Sequence, residues 1–464
     1  MRVDAIFVPS FLVTLLGCAT ALASTGPDID PPQFDSDPII RDFCIIGGGS
    51  SGTYTAIKLR QTGHSVALVE KEPLLGGHTN TYHDPISGKY IDYGVIVYED
   101  IPEVRDYFAH FNIPTAIEVF SGLTESVLVD LHTGVSVSSP PGNKTEAMMR
   151  YKEQLAKYPY LSDGWDLPDP VPGDLLLPFG DFIEKYDLGP AVETLTGFFQ
   201  GVGDWLSYPT VYIMKSFTPA VANGIENGYL VTTEHNNGAL YQAAREELGD
   251  DALLSSRIVA MSRSSNDLHQ ILVQTPNGLR LIRAKKTIIT VPPIVKILEN
   301  FDLDDHERAI FGQFNYSHHY TTLTKITGLP AGKQILNRGE DTLHNLPHLP
   351  GIYAITPTVM PEFYALNYGG WEGMREDEVR NRIRDDVLKL RVAGYNISEP
   401  EILAFNNHCP FELFVSGEQI ANGFYRDLYA LQGHRNTYYA GAAFHTHDSS
   451  ALWKFVWDML RNIA

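Results

Sequence analysis

The sequence predicts an α/β (α+β) protein: a doubly wound, Rossmann-type parallel sheet with a second domain inserted into it. Three observations carry this. Phe43 to Ile46 is a short apolar strand that runs into Gly47-Gly48-Gly49-Ser50-Ser51-Gly52 and then into a helix, Thr53 to Thr62, stopped by Gly63. A second strand, Val66 to Glu70, ends in a carboxylate. The buried-strand pattern returns near 236–293 and again after Tyr438, so the sheet is assembled from three segments, 39–115, 231–299 and 400–464.

The other elements follow in chain order. Residues 24–38 are rich in Pro, Asp and Ser and read as a flexible stretch. Residues 116–230 are rich in prolines and aromatics, lack glycine signatures, and form the first part of the inserted domain. Asn237 to Leu248 reads as a helix. Ala252 to Ser256, Arg257 to Ser262 and Ile271 to Val273 read as strands, and Lys286 to Val291 as a buried strand closed by Pro292-Pro293. Residues 300–399 form the second part of the inserted domain, with a strand at Tyr320 to Thr327. From Tyr438 the chain closes with strand, glycine turn and helix.

A chain of 464 residues with 44% apolar content supports two packed domains. Its net charge of −21 argues against nucleic acid and anionic membranes as partners. Residues 1–23 read as a signal peptide: Arg2, an apolar run from Ala5 to Leu22, and the cleavage signature Ala21-Leu22-Ala23 before Ser24. The expected location is the secretory pathway, secreted or lumenal. Asn143-Lys144-Thr145, Asn315-Tyr316-Ser317 and Asn396-Ile397-Ser398 are N-glycosylation sequons that fit this route. No later stretch is long and apolar enough to span a bilayer. Three cysteines, Cys18 in the leader, Cys44 in a strand and Cys409, make no disulfide framework. No metal is expected.

Gly47, Gly49 and Gly52 form G-x-G-x-x-G between a strand and a helix. The first permits the tight turn, the second lets backbone approach a pyrophosphate, and the third lets helix pack on strand. The helix N-terminus then offers unpaired N–H groups and a favourable dipole to the phosphates. Glu70, 18 positions past Gly52, is placed to accept the ribose hydroxyls. FAD and NAD sites share this much.

The tract Glu70-Lys71-Glu72-Pro73-Leu74-Leu75-Gly76-Gly77-His78-Thr79-Asn80-Thr81, with Tyr90-Ile91-Asp92-Tyr93-Gly94 after it, resembles the flavin-containing amine oxidase superfamily. His78 stands where that family has arginine, which leaves open how the pyrophosphate charge is offset. Tyr439-Ala440-Gly441-Ala442-Ala443-Phe444-His445-Thr446-His447-Asp448-Ser449-Ser450 is similar to the family's last flavin-contacting motif. Asp448 or Ser449 can cap the helix that follows. Together with Asn422-Gly423-Phe424-Tyr425 and Leu431-Gln432-Gly433, these tracts resemble a secreted fungal branch, the beta-cyclopiazonate dehydrogenase-like flavoproteins, from about residue 40 to the end.

The resemblance implies FAD, with cofactor contacts at Gly47, Gly49, Ser51, Gly52, Glu70, Gly76, Gly77, His78, Val259, Gly441, Ala442, Asp448, Ser449 and Ser450. It implies hydride transfer to flavin N5, with oxygen as acceptor. The family's acidic ribityl contact falls at Ala443, where no carboxylate is present. Lys325 falls roughly where amine oxidases place a lysine near N5; it also reads as a surface lysine. Cys409 falls at a spacing like that of a flavin-linked cysteine, and also reads as an inert buried thiol. His408 is a candidate acid/base and equally a structural histidine. A histidyl flavin link would draw on His78, His408, His445 or His447.

Amine oxidases grip a neutral amine between two aromatic rings. Here Ala451 stands at one such position, and Pro410 rather than tyrosine follows Cys409. The cage looks dismantled. Phe198, Phe199, Trp205, Tyr208, Tyr212 and Phe217 supply a core or an apolar pocket lining instead. The leading expectation is an FAD-dependent dehydrogenase or oxidative cyclase acting on a bulky lipophilic natural product, such as a terpenoid pyrone or an indole metabolite. The alternatives are a secreted amine or amino-acid oxidase, a flavin-dependent double-bond isomerase and a non-catalytic flavoprotein.

Overall fold

The computed structural model describes residues 37–120, 125–263, 268–330, 332–371 and 373–464. The expected signal peptide, and all but the end of the Pro-rich stretch after it, lie outside these residues.

The first sheet is built around β1 (Ile39–Ile46). It pairs in parallel with β2 (Val66–Val69) on one side and with strand Gly278–Ile289 on the other. Strand Ala252–Leu253 extends the sheet beyond β2, and Thr437–Tyr439 extends it beyond Gly278–Ile289, again in parallel. β2 is buried along its whole length and β1 over its last four residues. That burial is why both read as continuous apolar runs rather than alternating ones. Helix α1 (Ser50–Gln61) packs on the C-terminal helix Ser449–Ile463. The first half of Gly278–Ile289 departs into an antiparallel meander with His269–Thr275 and Arg257–Ser262. One strand thus serves two partnerships, which is why only its buried second half stands out in the sequence.

The second sheet has seven strands, in spatial order Glu401–Asn407, His318–Lys325, Phe363–Gly370, Gly351–Pro357, Lys333–Asn337, Glu125–Asp130 and Val135–Ser136. A helical lobe between Lys144 and Asn227 packs beside it. The first sheet takes its strands from three separated stretches of the chain, and the last of them begins later than the sequence reading placed it. Strand Glu401–Asn407 belongs to the second sheet, paired with His318–Lys325. Residues 413–431 add Leu413, Val415, Ile420, Phe424, Tyr425, Leu428 and Leu431 to the core shared with the helical lobe. The chain rejoins the first sheet only at Thr437. A half-buried strand carries no mark of which sheet it will join.

A buried ion network fixes that return. The Arg263 guanidinium donates to Glu307 at 2.7 and 2.9 Å and to Asp302 at 2.7 Å. The Tyr439 hydroxyl donates to Glu307 Oε1 at 2.6 Å. The end of the meander, helix Asp305–Phe311 and the last strand are thereby tied together. Among the described residues, no helix is long and apolar enough to cross a membrane.

Candidate functional site

The site is built at the C-terminal edge of the parallel strands, where open α/β sheets bind ligands. Gly47 leaves β1 with φ +103°, a conformation that side chains rarely adopt. A Cβ on Gly52 would stand 1.9 Å from the Gly47 carbonyl oxygen, so glycine is obligatory there. Gly49 differs. Its φ is −72°, which any residue accepts, and a Cβ would meet nothing nearer than Gly77 Cα at 3.8 Å. Gly49 caps α1 without a side chain, so the first-turn N–H groups receive no side-chain cap. Ser51 lies within that turn, buried, and its carbonyl accepts from the Thr55 hydroxyl.

Across this slot lies the second glycine pair. Gly76 N–H donates to Gly48 O at 2.8 Å, and Gly76 and Gly77 both have positive φ. Glu70 Oε2 accepts from Gly48 N–H at 2.6 Å and Oε1 from Glu72 N–H at 2.8 Å. These bonds pin the carboxylate at the end of β2 and leave each oxygen a further lone pair. The Ser256 N–H donates to Glu70 O at 2.8 Å, which brings the approach to strand Arg257–Ser262 alongside. Val259, three residues on, sits at a register irregularity with its side chain 43% exposed. The structure gives its side chain no place in this cluster.

The C-terminal motif closes the slot from the other side. A Cβ on Gly441, φ +105°, would stand 3.1 Å from Thr290 O, and the Thr290 hydroxyl donates to Ile46 O and Gly47 O. Ala442 follows, partly accessible. Asp448 caps the last helix, accepting from Ser450 and Ala451 N–H at 2.7 and 3.0 Å. The Ser50 hydroxyl donates to Ser449 Oγ at 2.9 Å, and Trp453 Nε1 donates to Ser50 Oγ at 2.9 Å. Two helix N-termini therefore converge, and their dipoles favour negative charge between them.

Glu99 N–H donates to Ser450 Oγ at 2.9 Å. Its carboxyl is pushed up to about 8, first by burial and then by the charge of Asp448. A raised carboxyl favours the fold when protonated. This stability is complete below the ordinary glutamate range and is lost as pH rises from there to about 8. Melting temperature should therefore fall less between pH 6 and 9 in Glu99→Gln than in the parent. Equal slopes in the two proteins would refute this assignment.

Beside the slot stands a group of imidazoles. His78 and His408 stack, with ring centroids 4.1 Å apart. His319 lies 5.6 Å from His408, and Phe411 packs between His319, at 4.6 Å, and His447, at 4.2 Å. Asn80 Oδ1 lies 2.7 Å from His408 Nε2, and Asn367 Oδ1 lies 3.2 Å from His319 Nε2. Carbonyl oxygens there place the ring proton on Nε2 in both histidines. Burial first, and then the neighbouring imidazoles, hold His408 well below the ordinary histidine range, and burial first pushes His78 to about 3. Burial also pushes His319 to about 4. His78 nevertheless presents an accessible face. The two facts agree because one face of the ring is open while His408 and Phe411 pack around it.

Of the sequence-predicted residues, the structure brings together Gly47, Gly49, Ser51, Gly52, Glu70, Gly76, Gly77, Gly441, Ala442, Asp448, Ser449 and Ser450, with His78 and His408 alongside. It does not bring Lys325 there. Lys325 ends its strand, paired with Phe363 and Glu401, whereas His319 at the other end faces the cleft. Six residues of strand separate them by ~20 Å. Cys409 packs with Tyr320 and Phe405 in the second sheet, its Sγ 3.6 Å from His319 O, and burial raises its thiol. Cys409→Ser should retain its flavin in full; loss of a covalently held flavin in that variant would overturn this. The aromatic stretch is core, with Phe199, Trp205, Tyr208, Tyr212 and Phe217 buried and only Phe198 exposed. It reaches the cleft through glycine: a Cβ on Gly201 would stand 2.6 Å from the His319 ring.

Sequence reasoning missed His319, Asn80, Asn367, Glu99 and the approach of His447 to Glu412. A separate cavity of about 250 Å³, lined by Leu176, Tyr208, Asn315 and Phe414 among others, includes none of the slot or imidazole residues. Asp130, Asp341 and His348 bring possible ligand atoms within 4.8 Å of one another, but Asp130 Oδ1 already accepts from the His132 and Thr133 N–H groups.

Fold and site define a two-domain dinucleotide-binding protein of the flavin amine oxidase architecture. A family model described as an NAD(P)-binding Rossmann-like domain matches residues 45–111. The FAD-dependent oxidoreductase oblC of Cochliobolus heterostrophus is 37% identical over 463 residues, covering 96% of each chain. The beta-cyclopiazonate dehydrogenase of Aspergillus flavus is 33% identical over 433 residues, covering 92% of this chain and 94% of that one. The chain belongs to this family of fungal FAD-dependent oxidoreductases. Among solved structures, a CLA-producing fatty acid isomerase from P. acnes superposes with TM-score 0.73 at 18% identity, over 91% of this chain and 98% of that one. A putrescine oxidase superposes with TM-score 0.65 at 15% identity, over 92% and 99%. At these identities the structural matches speak for the fold alone.

The residues present fit FAD. Among the described residues nothing requires glycine at 49, and the space its missing side chain leaves lies at the N-terminus of α1, which has no side-chain cap, and against Gly77. No arginine is needed to offset the pyrophosphate, since backbone N–H groups and helix dipoles can do so.

Proposed function

We propose that this FAD-dependent oxidoreductase oxidises a bulky, lipophilic natural product of the terpenoid-pyrone or indole type. The observation that carries the reading is the state of the amine cage. One of its positions is Ala451, inside the first turn of the last helix, and the other is Pro410. In their place stand Phe411 and imidazoles that burial keeps neutral. Such a wall takes an apolar, hydrogen-bonding substrate.

Gly47, Gly49, Gly52, Gly76 and Gly77 would hold the pyrophosphate, Glu70 the adenosine ribose, and Gly441 to Ser450 the flavin end. When bound, FAD supplies a hydride acceptor at N5. The chain's own part is to bind the substrate against the cleft wall, orient one C–H bond, exclude water and take up a proton. Oxygen serves as the acceptor that completes the cycle. The leader routes the chain to the secretory pathway. Asn143, Asn315 and Asn396, all exposed, accept glycans there.

The test is anaerobic mixing with a panel of indole, polyketide and terpenoid metabolites, followed at the flavin absorbance. The reading expects one equivalent of product per flavin bleached, with further product only after oxygen is admitted. Many turnovers without oxygen and without bleaching would instead identify an isomerase.

A further inference from the structure

The chain places one histidine differently from the other three of the cleft. His447 sits on the loop that carries the flavin-facing motif into the last helix. Its Nε2 lies 3.1 Å from Glu412 Oε2, with both side chains largely buried. The ring N–H points off the line to the carboxylate, so this is a close electrostatic contact that a small ring rotation would turn into a hydrogen bond. Glu412 is itself fixed by its backbone. Its N–H donates to Ser317 Oγ at 3.1 Å, and its carbonyl accepts from Ser317 N–H at 3.0 Å. Phe411 stacks on the His447 ring at 4.2 Å with 27° between planes. The imidazole is thus packed on one face and has one nitrogen beside a carboxylate. Among the described residues, His78, His319 and His408 have no carboxylate within ion-pairing distance; the Nε2 atoms of His319 and His408 face carboxamides.

We propose that His447, oriented through Nε2 by Glu412, is the catalytic base that takes the substrate proton at Nδ1 during oxidation. The inference rests on the oxidoreductase reading above. The balance is simple. One substrate C–H bond breaks and leaves with its electron pair as hydride to the flavin. One N–H, O–H or C–H bond of the same substrate breaks heterolytically. Its proton goes to Nδ1, and its electron pair forms the new π bond or ring bond. The imidazolium is stabilised by the Glu412 carboxylate, as a carboxylate stabilises the imidazolium of a hydrolase triad.

Position supports this assignment. Glu412 comes from the segment that crosses from the second sheet toward the helical lobe, and His447 from the flavin-facing loop. The pair therefore bridges the wall that holds substrate and the wall that holds cofactor. The groups facing His447 are Glu412 at Nε2, Phe411 on the ring face, and the imidazoles of His78, His319 and His408. Burial keeps those three neutral, so a proton taken up by His447 is not passed among them. Among the described residues, Glu412 is the one anion in direct contact with the ring.

The test compares His447→Gln and Glu412→Gln in the flavin-loaded protein. Both should keep full flavin content and the parent melting temperature. In His447→Gln the anaerobic reduction rate should fall about 100-fold or more, with KM changed only a few-fold, as for loss of a general base. In Glu412→Gln it should fall about 10-fold, as for loss of an orienting partner, and the acid limb of its pH profile should move. Selective ¹⁵N-histidine spectra give a readout apart from activity. The His447 signals, identified by their absence in His447→Gln, should show a proton on Nε2 and none on Nδ1. In Glu412→Gln the two nitrogens should become mixed tautomers. An unchanged reduction rate in a flavin-replete His447→Gln protein overturns the proposal, as does loss of flavin from that variant, which would make the ring a cofactor anchor. A parent protein that binds no flavin fails the oxidoreductase reading instead.

Discussion

Gly49→Val should yield a colourless, folded protein. The backbone at Gly49 is ordinary, with φ −72°, and a Cβ there would meet only Gly77 Cα at 3.8 Å. The fold therefore loses little more than the preference for glycine over a β-branched residue at a helix cap, about 1 kcal/mol. The valine methyl groups fill the slot between the two glycine pairs. That slot is where a pyrophosphate must touch backbone N–H groups. Losing ~3 kcal/mol of that approach weakens binding by about 100-fold, enough to strip FAD during purification. A ligand that binds only the native state raises its stability. The variant should therefore melt with the parent's apo form, not with its holo form. Gly52→Ala is the contrasting control. Its Cβ would sit 1.9 Å from Gly47 O, so it should fail to fold rather than fold empty. Measured together, flavin absorbance and melting temperature separate the two outcomes. A fully yellow Gly49→Val protein would place the cofactor elsewhere.

The cradle was legible in the sequence because backbone geometry dictates its residues. A strand that must turn at once into a helix under a phosphate needs glycine at Gly47 and Gly52, and the acid at Glu70 marks the end of the next strand. Asp448 was legible for a similar local reason, as a cap with an apolar helix after it. The cleft wall was legible only as separate candidates, His78, His408 and His447, and not as a group with His319. His78, His319, His408 and His447 come from four distant parts of the chain, and only the pairing of both sheets brings their rings within about 6 Å of a neighbour. Lys325 illustrates the cost of a small offset. The strand was read correctly, but its cleft end is His318-His319, and its Lys325 end lies away from the chemistry. Val259 stands apart for another reason: it lies at an irregular register at the meander edge, with its side chain exposed. The membership of Glu401–Asn407 in the second sheet depends on hydrogen bonds to His318–Lys325, which no local pattern announces.

The second large effect concerns amines. Benzylamine, putrescine and phenylalanine should reduce the flavin at least ~1000-fold less efficiently, by kcat/KM, than the best lipophilic substrate. An amine brings a charge into the cleft, or must shed a proton to enter it. Oxidases of amines manage this with an aromatic cage, and here Ala451 and Pro410 occupy its positions. The carboxyls near the flavin end offer no substitute. Asp448 already caps two N–H groups, Glu412 faces His447, and burial with the Asp448 charge keeps Glu99 protonated up to about pH 8. An ammonium would therefore be buried without a free anion, at a cost of several kcal/mol, and ~4 kcal/mol is about 1000-fold in rate. A lipophilic substrate meets the opposite balance. Phe411 and neutral imidazoles accept apolar surface, and each 100 Å² buried contributes about 2.5 kcal/mol before the costs of ordering. Stopped-flow reduction at pH 7 and pH 9 checks both halves of the argument. At pH 9 more of each amine is uncharged, so its deficit should narrow, whereas the lipophilic rates should not rise by the same factor. Rapid reduction by benzylamine at pH 7, with none by the lipophilic panel, would mean that the cleft takes amines by contacts other than an aromatic cage.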